Sequence, residues 1–173
     1  MPTAVRARVR TGTNWSALVE YVFHPPQDFS KLLLTEIMYH PPAAGLTDGD
    51  EFEFLEFKNA GTNTLNVSGL TFSSGVTFTF TNGTTLGPGA FLVLVRNTAQ
   101  FATRYPGVPV GGQFAGGLAN GGETLTLSHP TGTRILSVTY DDHAPWPVAA
   151  DAFGFSLVPM LVNANPDPDN PSN

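Results

Sequence analysis

The chain has 173 residues, with 18 Gly, 15 Pro, no Cys and a formal net charge of −6. That length suits one ordinary domain with a core plus some attached chain, not two full domains. The absence of cysteine excludes disulfides and thiolate chemistry, the two lysines Lys31 and Lys58 leave a phosphate backbone little to hold, and no apolar run nears the roughly 20 residues of a membrane helix.

Many Gly and Pro among Thr and Val describe short strands joined by tight turns, so an all-β fold is expected. In chain order, residues 4 to 9 alternate in character, and Trp15, Ala17, Val19, Tyr21 and Phe23 recur at every second position. This predicts a hairpin around "TGTN". A lone two-stranded hairpin is marginal in water. Residues 1–23 are therefore expected to be left from an upstream β-sandwich domain, with edges that invite dimerisation. "HPPQDFS", 24–30, reads as a proline-stiffened linker, residues 31–162 as the main domain, and "NANPDPDNPSN", 163–173, as a disordered tail.

Within the main domain, strand-period apolar runs fall at 32–39, 51–58, 64–73, 75–81, 90–96, 123–128, 134–140 and 153–160. Gly- and Asn-rich turns separate nearly all of them, which is the pattern of a sandwich. "NTAQFATRYPG", 97–107, is the one helical candidate, capped by Asn97 or Thr98 and stopped at Tyr105-Pro106. The glycines of "GGQFAGGLANGG", 111–122, have no lysine and open no helix, so they read as a long connection rather than a phosphate loop.

The motifs "LTEIMYHPP", "DGDEFEFLEFKNAG", "LNVSGLTFSSGVTFTF", "LGPGAFLVLVRN", "LANGGETLTLSHPTG" and "SVTYDDHAPWPVAADAFGFSLV" follow one another in this order. Together they resemble the lamin tail domain family over roughly residues 32–160. The resemblance implies an immunoglobulin-like β-sandwich without a transferable catalytic motif, used for interaction or spacing in multidomain chains. The family is known from nuclear lamins and from large secreted or surface-attached bacterial proteins, and the bacterial form is the nearer. The leading hairpin is similar to the last strands of chitobiase C-terminal-like or fibronectin-like sandwich domains. The chromatin association of nuclear lamin tails does not carry over to so lysine-poor and acidic a chain.

Three clusters are weighed as sites. In "DGDEFEFLE", the carboxylates of Asp48, Asp50, Glu51 and Glu53, with Glu56 beyond, make a candidate calcium loop that Gly49 would help to fold. A strand starting near Glu51 would put Glu51 and Glu53 on one face, apart from Glu56. The competing reading is a solvated acidic face. In "YDDHAPWP", Asp141 and His143 could hold a metal and Trp146 could stack on a sugar, or Trp146 could plug the end of the sandwich. Glu36 and His40 would share a strand face about 13 Å apart, too far for a hydrogen bond. Ser156 lacks the second glycine of a nucleophile elbow.

The expectation is thus a non-catalytic interaction or spacer module of a larger extracellular or cell-surface bacterial protein. Its partner would be a protein or a cell-surface glycan, with no nucleic acid, no membrane insertion, and no cofactor apart from the calcium candidate. The alternative is a calcium- or carbohydrate-binding module.

Overall fold

The structure is a computed structural model and describes residues 3–160. The tail read at 163–173, and the last two residues of the domain read at 31–162, lie outside the described residues. In chain order the strands are β1 (Thr3–Ala7), β2 (Arg10–Thr11), β3 (Asn14–Trp15), β4 (Val19–Phe23), β5 (Leu32–Met38), β6 (Phe54–Asn59), β7 (Leu65–Asn66), β8 (Thr71–Ser74), β9 (Thr85–Leu86), β10 (Phe91–Val95), β11 (Val110–Gln113), β12 (Glu123–Ser128) and β13 (Arg134–Tyr140), with one helix, α1 (Thr98–Arg104). A four-stranded sheet in the order β11-β10-β6-β5 and a three-stranded sheet in the order β13-β12-β8 form the sandwich, and β7-β9 is a small separate pair.

Period-2 alternation builds the two layers. Leu55 and Phe57 of β6 and Leu94 of β10 enter the main core, where they meet Leu125, Leu127 and Val138 of the other sheet. Phe54, Val93 and Val95 point the opposite way and form a second core with Phe101 of α1 and with Met38. The expected alternation of β5 needs one correction. Its register with β6 shifts between Leu34 and Glu36, so Thr35 is an extra residue in the strand. Such a bulge reverses the facing of all that follows. Leu32 and Leu34 before it, and Ile37 and Tyr39 after it, therefore pack on the same main core, while Glu36 and Met38 turn to the opposite face, where Met38 joins the second core.

Other elements also depart from the sequence reading. The strand expected from residue 51 begins at Phe54, because Gly49–Phe52 form a 3-10 turn in which the Asp48 side chain accepts from the Asp50 amide. The run 64–73 splits into β7 and β8. The run 75–81 makes only isolated bridges, Thr77 with Ala115 and Thr79 with Thr71, and 153–160 contributes a single bridge from Leu157 to Ile37 at the outer edge of β5. The presumed long connection opens with β11, which pairs in parallel with β10. A parallel neighbour requires a crossover, and α1 supplies it. Gly111 and Gly112 lie under Leu92 and the Phe78 ring, where added Cβ atoms would approach to 2.6 and 2.5 Å. Those two glycines serve close packing.

The N-terminal hairpin forms as expected. β1 pairs antiparallel with β4 and β2 with β3, around Gly12 at φ 60°, a positive angle suited to a two-residue loop. Residues 24–30 lie against the sandwich. Gln27 exchanges two hydrogen bonds with the Asn66 backbone, at 3.0 and 2.9 Å, and the His24 ring meets that of His129 at 4.8 Å.

Candidate functional site

The acidic turn is organised around a cation that lies far away in sequence. Arg96, just past β10, places Nη1 3.0 Å from Glu53 Oε1 and 3.2 Å from Asp50 Oδ2. Glu53 has no exposed surface, and its Oε2 accepts from the Leu118 amide at 2.8 Å. Burial pushes its pKa up to about 7 against the pull of that amide and of Arg96. Glu51 accepts from Asn97 Nδ2 at 2.6 Å, Asp48 from the Asp50 amide at 3.1 Å, and Glu56 from Thr35 Oγ1 at 2.7 Å. Each carboxylate of the calcium candidate accepts from a protein donor, Asp50 and Glu53 sharing Arg96 Nη1. Glu51 lies in the 3-10 turn and not on a strand face with Glu53. The arrangement clasps the turn to α1 and to the loop after β11.

The second cluster sits where β13 ends. There the Asp141 carboxylate accepts from the His143 amide at 2.8 Å and stands 3.1 Å from His143 Nδ1, while Asp142 Oδ1 makes an ion-pair contact with the same nitrogen. The three side chains bring one ligand atom each within 4.8 Å of one another. The hydrogen bonds from His143 hold the Asp141 pKa below its usual value, and the hydrogen bond to Asp141, helped by the charge of Asp142, raises that of His143. Trp146 is half-buried against the main core, as a plug would be.

Two neighbours complete this corner, and neither pairing is legible from local sequence. His40 Nδ1 lies 2.6 Å from Asp151 Oδ1, across 111 positions. Tyr39 is fully buried with its ring 4.9 Å from that of Tyr140, and its hydroxyl has no hydrogen-bond partner among the described residues. Burial pushes the Tyr39 pKa up to about 12, and the charges of Asp151, Asp142 and Asp141 add to it.

Glu36 and His40 go separate ways, as their spacing implied. Glu36 accepts from Ser156 Oγ at 2.5 Å, and burial raises its pKa. Ser156 therefore donates to a carboxylate, and among the described residues no histidine is hydrogen-bonded to it.

The chain also matches a known family. The lamin tail domain family covers residues 25–142. The chain belongs to the lamin tail domain family. This lamin tail domain includes the docked segment from Pro25 onward and stops at Asp142, so His143, Trp146 and Asp151 lie beyond the matched span. No curated protein and no solved structure matches the chain. The family is one of non-catalytic, immunoglobulin-like interaction modules, and the sandwich observed here has that architecture.

Proposed function

We propose that this lamin tail domain is a non-catalytic interaction and spacer module of a larger secreted or surface-attached bacterial protein, and that the N-terminal hairpin before it, the last strands of an upstream β-sandwich domain, pairs with further strands. The hairpin carries the reading. Val5, Val9, Trp15, Leu18, Val19, Tyr21, Val22 and Phe23 are all between 41 and 68% exposed. Pairing of Val5 with Tyr21 and Ala7 with Val19 gathers an apolar strip on one ribbon face, on which the Tyr21 and Phe23 rings meet at 4.9 Å. A two-stranded ribbon with open edges and an apolar face is completed by further strands. The partner is a second copy of the same ribbon, added edge to edge or face to face.

The extracellular bacterial setting rests on the likeness of the motifs to that form of the family. A glycan partner has less support, because Trp146 turns part of its ring into the core. The net charge of −6 argues against nucleic acid. Among the described residues, no helix is long and apolar enough to cross a membrane.

Light scattering over a concentration series tests the reading. The native chain is expected to rise in mass toward a dimer, and a Val19→Lys, Tyr21→Lys double variant to remain monomeric with an unchanged circular dichroism spectrum, since charges on the ribbon oppose pairing. A native chain that stays monomeric throughout would overturn self-pairing.

A further inference from the structure

The geometry points to a divalent transition-metal site, with zinc as its best occupant, formed by Asp141, Asp142 and His143 at the end of β13 and backed by Tyr39. This goes beyond the interaction reading and does not depend on it.

Three ligand-type atoms, two carboxylate oxygens and one imidazole nitrogen, already lie within 4.8 Å of one another. In a tetrahedral zinc site with bonds of about 2.0–2.2 Å, ligand atoms stand roughly 3.3–3.6 Å apart. The observed 3.1 Å between His143 Nδ1 and Asp141 Oδ1 is close to that spacing. Small side-chain rotations would admit an ion where Nδ1 now faces both carboxylates. The donor set also selects the metal. Calcium seeks six to eight oxygens, whereas one nitrogen with two carboxylates suits zinc and its neighbours, with a further position left for water. The His143 side chain is 83% exposed, so an ion can reach it.

Tyr39 supplies the independent observation. A fully buried hydroxyl without a partner is costly, and native folds rarely leave one so. Its ring packs on Tyr140, the residue immediately before Asp141, and the charges that act on it are those of Asp151, Asp142 and Asp141. The hydroxyl is therefore buried next to the strand end that carries this cluster. A tyrosine hydroxyl is neutral at physiological pH, able to donate to a metal-held carboxylate or to a metal-bound water, as outer-shell donors do. His40, tied to Asp151 beside it, holds the adjoining segment in place.

Isothermal titration of the full chain with zinc chloride, and separately with calcium chloride, tests the site. One zinc per chain is expected, with calcium much weaker. His143→Ala and Asp142→Asn should each lower zinc affinity at least tenfold, and Tyr39→Phe by about tenfold, in the range for outer-shell partners. His129→Ala should leave binding unchanged, which separates this site from the His24–His129 pair. Circular dichroism confirms that each variant is folded. On zinc addition, the His143 ring resonances should shift first. Absence of zinc binding, binding undiminished by His143→Ala, or preference for calcium would each overturn the assignment.

Discussion

The Glu53 carboxyl sits without exposed surface between Arg96 and the Leu118 amide, and its pKa is pushed up to about 7 from 4.5. Between those values the native chain keeps a proton that the unfolded chain has released. The unfolding free energy therefore falls as pH rises through the window, and is gained as pH falls from about 7 toward 4.5. His129 acts in the opposite sense, because burial and His24 lower its pKa and stability is lost as pH falls through its unfolded value. Comparing the native chain with Glu53→Gln isolates the carboxylate. Melting temperatures at about pH 5 and about pH 8 should show the native chain gaining on the variant at the lower pH. Parallel curves would deny Glu53 a titration in that range. The acidic run "DGDEFEFLE" was legible as chemistry-bearing, but its cation, Arg96, lies 43 positions from Glu53 and could not be paired with it by local spacing. Gly122 is a second residue whose role emerges only from the fold. It holds φ 97°, and a Cβ there would come within 2.5 Å of the Tyr140 carbonyl oxygen. Gly122→Ala should cost at least about 2–3 kcal/mol in denaturant unfolding. Gly83→Ala, at φ 87° with no atom within 4 Å of the added carbon, should cost only about 1–2 kcal/mol.

At the scale of elements, the helix and its cap were readable because they are local. Asn97 accepts from the Ala99 and Gln100 amides at 3.0 and 3.2 Å and stops the sheet pattern where α1 begins. Its amide nitrogen also donates to Glu51, so the cap fastens α1 to the acidic turn. Asn97→Ala should destabilise the chain by about 1–2 kcal/mol. Asn97→Asp should recover only part of this loss, because it keeps the cap but sets a carboxylate against Glu51. Chemical denaturation of the three proteins measures the difference. The hairpin was legible for the same local reason, through alternation and Gly12. By contrast, β5 hid its bulge, since nothing in "LLLTEIM" distinguishes Thr35 as the inserted residue. β11 was missed because "VGGQ" has neither alternation nor β-branched density after its first residue. Its glycines are required by Leu92 and Phe78 above them, contacts that exist only once β10 and the Thr77–Ala115 bridge are formed.

For the whole molecule, composition and turn spacing were enough to indicate a sandwich, because a chain of short alternating strands must bury one face against another sheet. The partition into a main core between sheets and a second core under α1 could not be read in advance. It depends on which strands become neighbours, and hence on the parallel crossover. The account is of a rigid sandwich that presents an open ribbon for assembly. Hydrogen exchange measured at two protein concentrations tests this most directly, since amide protection follows local opening. In dilute solution, β5, β6, β10, β12 and β13 should be strongly protected while β1 and β4 exchange rapidly, and at high concentration protection should rise in β1 and β4 alone. Strong protection of β1 and β4 in the dilute monomer, or no change in them on concentration, would contradict it.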